Sequence, residues 1–145
     1  MEQQLLVLLL PQRLERFHLE TQARELLRAP GAVAVDPARI PVGRIPATVA
    51  AGLAVGQAKR MRLPGMPAAV AIFHPLQFYL AGALLARHPA AELWYGEPAP
   101  EDVTPHEQLH TAAATRAALT FPTTTDLDIT PLRLRMVELG ILIGG

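Results

Sequence analysis

His106 and His110, with Glu107 beside the first of them, match the pattern His-Glu-x-x-His. Imidazoles at positions i and i+4 of a helix share one face and can bind a zinc ion, while the glutamate activates a water molecule. Glu138 is the candidate third ligand, because its distance along the chain suits zinc peptidases that use a glutamate ligand. The pattern therefore predicts, as one alternative, a zinc-dependent hydrolase in which Glu107 is the base.

The residues in front of this pattern favour a structural interpretation. Thr104, Pro105 and Glu107 fit a capping box with proline at the first helical position, which predicts a helix from here to about Ala117. The first histidine then lies in the first helical turn, and the glutamate caps the helix. Under this interpretation both histidines are surface residues, and no resident metal is favoured.

A second set of polar side chains stands just after apolar segments. His74 follows the segment that ends at Phe73, and its imidazole suits a base or a contact to a phosphate or hydroxyl group. The alternative is a histidine at the end of a strand that is satisfied by the backbone. The complete set of candidate cleft residues is His18, His74, Gln77, Glu97, Thr123 and Thr124.

Apolar segments that alternate with amphipathic segments must position these side chains. Short continuous apolar runs are typical of strands buried on both faces, and segments with helical periodicity lie between them. The predicted strands are 5–10, 32–35, 69–73, 93–95 and a weaker one at 119–121. The predicted helices are 14–28, 47–62, 76–87, about 105–117 and 131–139.

This alternation predicts an α/β fold over residues 1–145, which is a suitable length for one domain. We expect a doubly wound, mainly parallel sheet of about five to six strands with helices on both faces, a Rossmann-like arrangement. In such sheets, ligands bind beyond the carboxyl ends of the strands. The predicted ligand-binding segments are therefore 11–18, 74–77, 95–102 and 122–128.

Several known sites are absent from the sequence. The turn after the first predicted strand begins Pro11-Gln12-Arg13 and lacks the glycines of a dinucleotide-binding fingerprint. A Walker loop and a Gly-x-Ser-x-Gly nucleophile elbow are also missing from the sequence. We therefore expect this chain by itself to bind no cofactor, with zinc as the alternative.

Charge and cysteine content restrict the partners. Thirteen basic residues balance thirteen acidic ones, and the charges look scattered rather than grouped in blocks, so we expect no electrostatic footprint for nucleic acid or for an anionic membrane. The chain has no cysteine, which is compatible with a reducing compartment. The apolar run that ends at Leu10 is too short for a signal or spanning segment, so we expect a cytoplasmic protein, with a peripheral membrane contact left open.

The second half of the chain resembles a known family. The order of features is an aromatic strand end near Phe73, a strand that ends at Gly96, an acid-headed helix, a strand ending in threonines, and an arginine-rich helix over 133–140. It resembles the N-terminal domain of bacterial glycosyltransferases of the GT-B type, which have two Rossmann-like domains. The pair Tyr-Asp that is common after the fourth strand of that family is here Tyr95-Gly96.

The resemblance implies an acceptor-binding domain, because the second domain of that family holds most of the nucleotide sugar. It implies a sugar acceptor as ligand and a donor-binding domain or subunit as partner, so that residues 1–145 are the N-terminal half of a larger enzyme. A third hypothesis, which needs no chemistry, is a non-catalytic α/β binding module.

Overall fold

The computed structural model describes residues 3–9, 23–35, 45–63, 65–122 and 130–141. Its strands are β1 (Gln3–Leu8), β2 (Ala32–Val35), β3 (Met66–Ile72), β4 (Glu92–Glu97) and β5 (Ala117–Pro122). Its helices are α1 (23–27), α2 (Ala47–Arg60), α3 (Phe78–Arg87), α4 (Pro100–Val103), α5 (Glu107–Arg116) and α6 (Thr130–Glu138), and single 3-10 turns precede α3 (Pro75–Gln77) and α5 (Thr104–His106).

The five strands form one parallel sheet in the order β2-β1-β3-β4-β5. This is one of the two common orders of doubly wound folds, and it confirms the predicted α/β class. The strand order reverses between β1 and β3, because β2 lies on one side of β1 and all later strands lie on the other. A ligand crevice is therefore expected beyond the carboxyl ends of β1 and β3.

Side chains of alternate strand residues pack against different helices, as the period of two in a strand requires. Leu6 and Leu8 of β1 lie in a core layer with residues of α2 and α3, whereas Leu5 and Val7 lie in a layer with α1 and α6. All four side chains are fully buried. Both faces of the sheet are thus covered, which explains why β1 is apolar without alternation.

The predicted capping box at Thr104 is wrong, because the helical backbone starts earlier. Pro100 follows the N-cap residue Ala99 and opens α4, and the Thr104 hydroxyl donates a 3.0 Å hydrogen bond to the Pro100 carbonyl instead of capping a helix. Proline at position 105 lacks a backbone N–H group, so an α-helix cannot continue through it without losing a hydrogen bond. The chain forms a 3-10 turn there, and α5 begins at Glu107.

The C-terminal end of α6 agrees with its sequence signal. Gly140 has a φ of 76°, a conformation that favours glycine. The Ile141 N–H donates a 2.8 Å hydrogen bond to the Met136 carbonyl, as in a Schellman motif. Ile141 is buried beside Gly31, where an added Cβ would be 2.8 Å from the Ile141 side chain. The end of α6 is thus packed tightly against the turn that leads into β2.

Across the described ranges, no helix has the length and apolar character that crossing a membrane requires.

Candidate functional site

Gln77 joins the carboxyl ends of β1 and β3, where the strand order reverses. Its Oε1 atom accepts hydrogen bonds from the backbone N–H groups of Phe73 (2.6 Å) and His74 (3.1 Å), and its Nε2 atom donates to the Leu8 carbonyl (3.0 Å). Gln77 is 5% exposed, so these bonds satisfy backbone groups that water cannot reach. The predicted cleft residue Gln77 therefore links the strand ends on either side of the switch point, and we call it the floor of the expected crevice.

His74 lies beside this floor and is also buried. Its Nδ1 atom accepts a 3.1 Å hydrogen bond from the Leu76 N–H group, so the ring proton of the neutral imidazole is on Nε2. That nitrogen is 3.6 Å from Oδ1 of Asp102. Together with Gln77, His74 forms a reciprocal capping box at the 3-10 turn that precedes α3. This arrangement fixes the His74 ring with its Nε2 atom facing Asp102.

Asp102 lies near His74 at the carboxyl edge because α4 starts shortly after β4. The N–H groups of Asp102 and Val103 both donate to the Ala99 carbonyl, at 2.9 and 3.2 Å, which fixes the short helix. An aspartate in the first helical turn is favoured by the helix dipole. The Asp102 side chain is 11% exposed, so its carboxylate is mostly shielded from solvent.

Tyr95 of β4 brings a phenol and a further imidazole to the same place. Its hydroxyl group is 3.0 Å from Nδ1 of His110, and the two rings are 5.6 Å apart. Burial, and to a smaller extent the negative charge of Asp102, raises the pKa of the Tyr95 phenol above its ordinary value of 10.0. The phenol therefore keeps its proton at neutral pH and can donate a hydrogen bond.

His106 completes the group of rings. Its imidazole meets that of His74 edge to face, with 5.8 Å between the ring centroids. We call these five residues the carboxyl-edge cluster: His74, Tyr95, Asp102, His106 and His110. The cluster combines one carboxylate, three imidazoles and one phenol, a set that can donate hydrogen bonds to, and accept them from, the same ligand.

The structure separates the residues of the His-Glu-x-x-His pattern. His106 ends a 3-10 turn and contacts His74, whereas His110 lies on α5 and contacts Tyr95. Glu138 is exposed on α6, where it is paired with Arg135 at 2.6 Å. Within the ranges that the structure describes, no three His, Asp or Glu side chains are grouped so that they could hold a metal ion. This geometry gives the zinc hypothesis no support.

Of the remaining predicted cleft residues, the structure describes only Glu97. Glu97 is the exposed last residue of β4 and lies at the carboxyl edge, as predicted. His18, Thr123 and Thr124 lie outside the described residues, in segments that follow β1 and β5.

The sequence indicated Asp102 only as one of three acidic residues, with Glu97 and Glu101, that could orient sugar hydroxyls or a metal ion or favour the start of a helix. Tyr95 was missed as a site residue, although it begins the predicted ligand-binding segment 95–102. Their signal was position, because Tyr95 is near the carboxyl end of a buried strand and Asp102 is seven residues later, in the connection to the next helix. The turn at Pro100 that directs Asp102 inward became evident only in the structure.

Comparison of this chain with protein-family models, with curated proteins and with solved structures gave no significant match.

Proposed function

We propose that this chain binds a hydroxyl-rich ligand at the carboxyl-edge cluster and acts as the acceptor-binding half of a glycosyltransferase. The observation that carries the proposal is the placement of Asp102 beside His74 and close enough to Tyr95 to perturb it, at the carboxyl edge of the sheet. Ligands of doubly wound folds bind at this edge. The resemblance of the second half of the chain to GT-B enzymes supports a sugar as the ligand.

Sugar hydroxyl groups suit this set of side chains. A hydroxyl group both donates and accepts hydrogen bonds, so a carboxylate accepts from it while a neutral phenol or imidazole N–H donates to it. Hydrogen bonds to a charged group are about twice as strong as those between neutral groups. Asp102 is therefore the side chain expected to contribute most to the affinity for the acceptor.

The local charge favours an acceptor without phosphate. Residues 95–115, from the carboxyl end of β4 through most of α5, contain four acidic residues and neither lysine nor arginine. Such a segment repels anions over about 8 to 10 Å at ordinary ionic strength. We infer that the ligand of this edge is a neutral or positively charged sugar, and that a nucleotide sugar is bound by another domain or subunit.

The proposal is tested by titrating the isotope-labelled chain with neutral sugars, amino sugars, sugar phosphates and nucleotide sugars, and following amide shifts by NMR. We expect neutral or amino sugars to shift the resonances of residues 95–110 and to bind more tightly than their phosphates. Asp102→Asn should weaken that binding about tenfold, because it removes a hydrogen bond to a charged acceptor.

The matched control is Glu138→Gln, the same change from carboxylate to amide on α6, which should leave sugar affinity unchanged. The absence of shifts with every neutral and amino sugar would contradict the proposal. So would equal losses of affinity in the two variants. Tight binding of a nucleotide sugar by the chain alone would contradict the assignment to the acceptor side.

A further inference from the structure

Although the total charge is balanced, one long segment of the chain carries only positive charges. Residues 37–91 contain six basic residues and no acidic residue, so the rest of the chain carries the compensating negative charge. The basic residues are Arg39, Arg44, Lys59, Arg60, Arg62 and Arg87. Three of them stand within four positions at the end of α2, all exposed. This part of the molecule is electrostatically suited to an anionic partner.

The exposed face of α2 is apolar as well as basic. Its buried side is made of small residues at a spacing of four, Ala50, Ala54 and Ala58, and it packs mainly on α3. Larger apolar side chains of the same helix point to solvent: Val49 is 48% exposed, Leu53 43% and Val55 46%. These three, with Lys59, Arg60 and Arg62, are named the α2 surface.

Apolar and basic residues follow one another along the axis of this helix. At 100° per residue, Val49, Leu53 and Arg60 lie within about 40° of each other, on one flank of the helix, about 120° around the axis from the mean direction of the buried alanines. Val55 and Lys59 form a second, parallel row. With a rise of about 1.5 Å per residue, the basic end lies about 16 Å from Val49.

We propose that the α2 surface docks on an anionic membrane. A bilayer interface offers a layer of acyl chains beside a layer of anionic headgroups, and a helix that lies along it needs apolar side chains for the first and basic ones for the second. The α2 surface supplies both and carries no acidic residue. This inference does not rest on the proposed sugar site.

Two other occupants fit the α2 surface less well. A second copy of this chain would bring two basic helices together, and a face about 21 Å long and 10 Å wide is well below the roughly 800 Å² per partner of a stable interface. Nucleic-acid sites usually add aromatic side chains for stacking or several more phosphate contacts. The α2 surface has no aromatic residue.

The test is co-sedimentation of the full chain with vesicles of phosphatidylcholine alone or with about one third phosphatidylserine. We expect at least tenfold stronger partitioning onto the anionic vesicles, reduced by salt. Replacing Lys59, Arg60 and Arg62 together by glutamine should weaken it about fivefold for each charge. A second variant, with Val49, Leu53 and Val55 all changed to serine, should also lose binding.

Matched controls come from α6, where Leu134 and Val137 are 62% and 45% exposed and Arg133 is exposed. Leu134→Ser with Val137→Ser, and separately Arg133→Gln, should leave partitioning unchanged. The proposal is overturned if anionic vesicles bind no better than neutral ones, or if the α6 variants lose as much binding as the α2 variants. Binding of polyglutamate but not of vesicles would overturn it in favour of an acidic protein partner.

Discussion

The two ends of β4 carry polar clusters of different kinds. At the amino end, Glu92 is bound by the guanidinium group of Arg135 and by the Trp94 indole N–H (3.1 Å). At the carboxyl end, Asp102 is approached by an imidazole and lies close enough to a phenol to perturb it. The Glu92 carboxylate thus has the Arg135 cation fixed against it. The Asp102 carboxylate instead has an imidazole and a phenol nearby, which are groups that can also form hydrogen bonds to a ligand.

The polar contacts at the amino end of β4 have a structural role. The amino-edge cluster ties α6 to β4, and its hydrogen bonds lower the pKa of Glu92, with the Arg135 bond as the largest cause. The Arg116 guanidinium adds a 2.8 Å hydrogen bond to the Ala91 carbonyl at the same edge. Opposite charges in contact stabilise a connection, but they leave little for a ligand to bind. The amino edge is thus a structural contact, and the proposed binding site lies at the carboxyl edge.

The largest expected effect tests whether the floor of the crevice is structural. Gln77→Leu removes the partners of three buried backbone groups, so we expect the free energy of unfolding to fall by about 3 kcal/mol. Urea denaturation of the two proteins measures the difference. Gln108→Leu, an exposed change on α5, is the control and should stay within about 0.5 kcal/mol. Equal stability of the Gln77 variant and the wild type would show that the floor is not structural.

A smaller expected effect tests the pair of Glu92 and Arg135 at the amino end of β4. Glu92→Gln should cost about 1 kcal/mol at neutral pH, because this pair is partly solvated and solvent weakens it. The folded-state pKa of Glu92 lies below its usual 4.5, so its contribution is present above that value and is lost as pH falls through the folded pKa.

Urea unfolding at pH 7 and at about pH 3 therefore separates the two proteins. The stability difference between wild type and Glu92→Gln should shrink in acid, and sugar binding at neutral pH should not change. If the difference grew in acid, the sign of the pKa shift would be wrong.

The smallest expected effect tests whether Asp102 lies close to Tyr95 at the carboxyl end of β4. Asp102 contributes to the raised pKa of Tyr95, so Asp102→Asn should lower that pKa, while burial still keeps it above 10.0. Absorbance at 295 nm during an alkaline titration measures this in a Tyr79→Phe background, where Tyr95 is the remaining tyrosine. Glu138→Gln in the same background should not shift the titration. An unchanged Tyr95 titration in the Asp102 variant would remove Asp102 from the cluster.

Capping boxes illustrate how far the sequence could be interpreted. The sequence predicted one at Thr104, where the structure has none, and the structure has one between His74 and Gln77 that was not predicted. Histidine is an uncommon N-cap residue, so its pattern is not recognised by residue type. The Thr104 pattern failed because a helical turn already starts at Pro100. A four-residue motif that begins at Thr104 does not include Pro100.

The sequence by itself determined the α/β class and the existence of all five strands and of the main helices. A strand such as β1 that is buried on both faces must be apolar at nearly every position. It can therefore be recognised in the sequence as a short continuous apolar run. The sequence also predicted that His74 and Glu97 stand at the carboxyl edge, since each follows or ends a strand.

Only the tertiary structure decided the strand order, and with it the position of the switch point between β1 and β3. It also decided which polar groups meet there. His74 and Asp102 are 28 positions apart in the chain, and Gln77 and Leu8 are 69 apart. Their contacts depend on how layers pack, because hydrogen bonds and charges act over a few ångströms in space and carry no signature in sequence spacing.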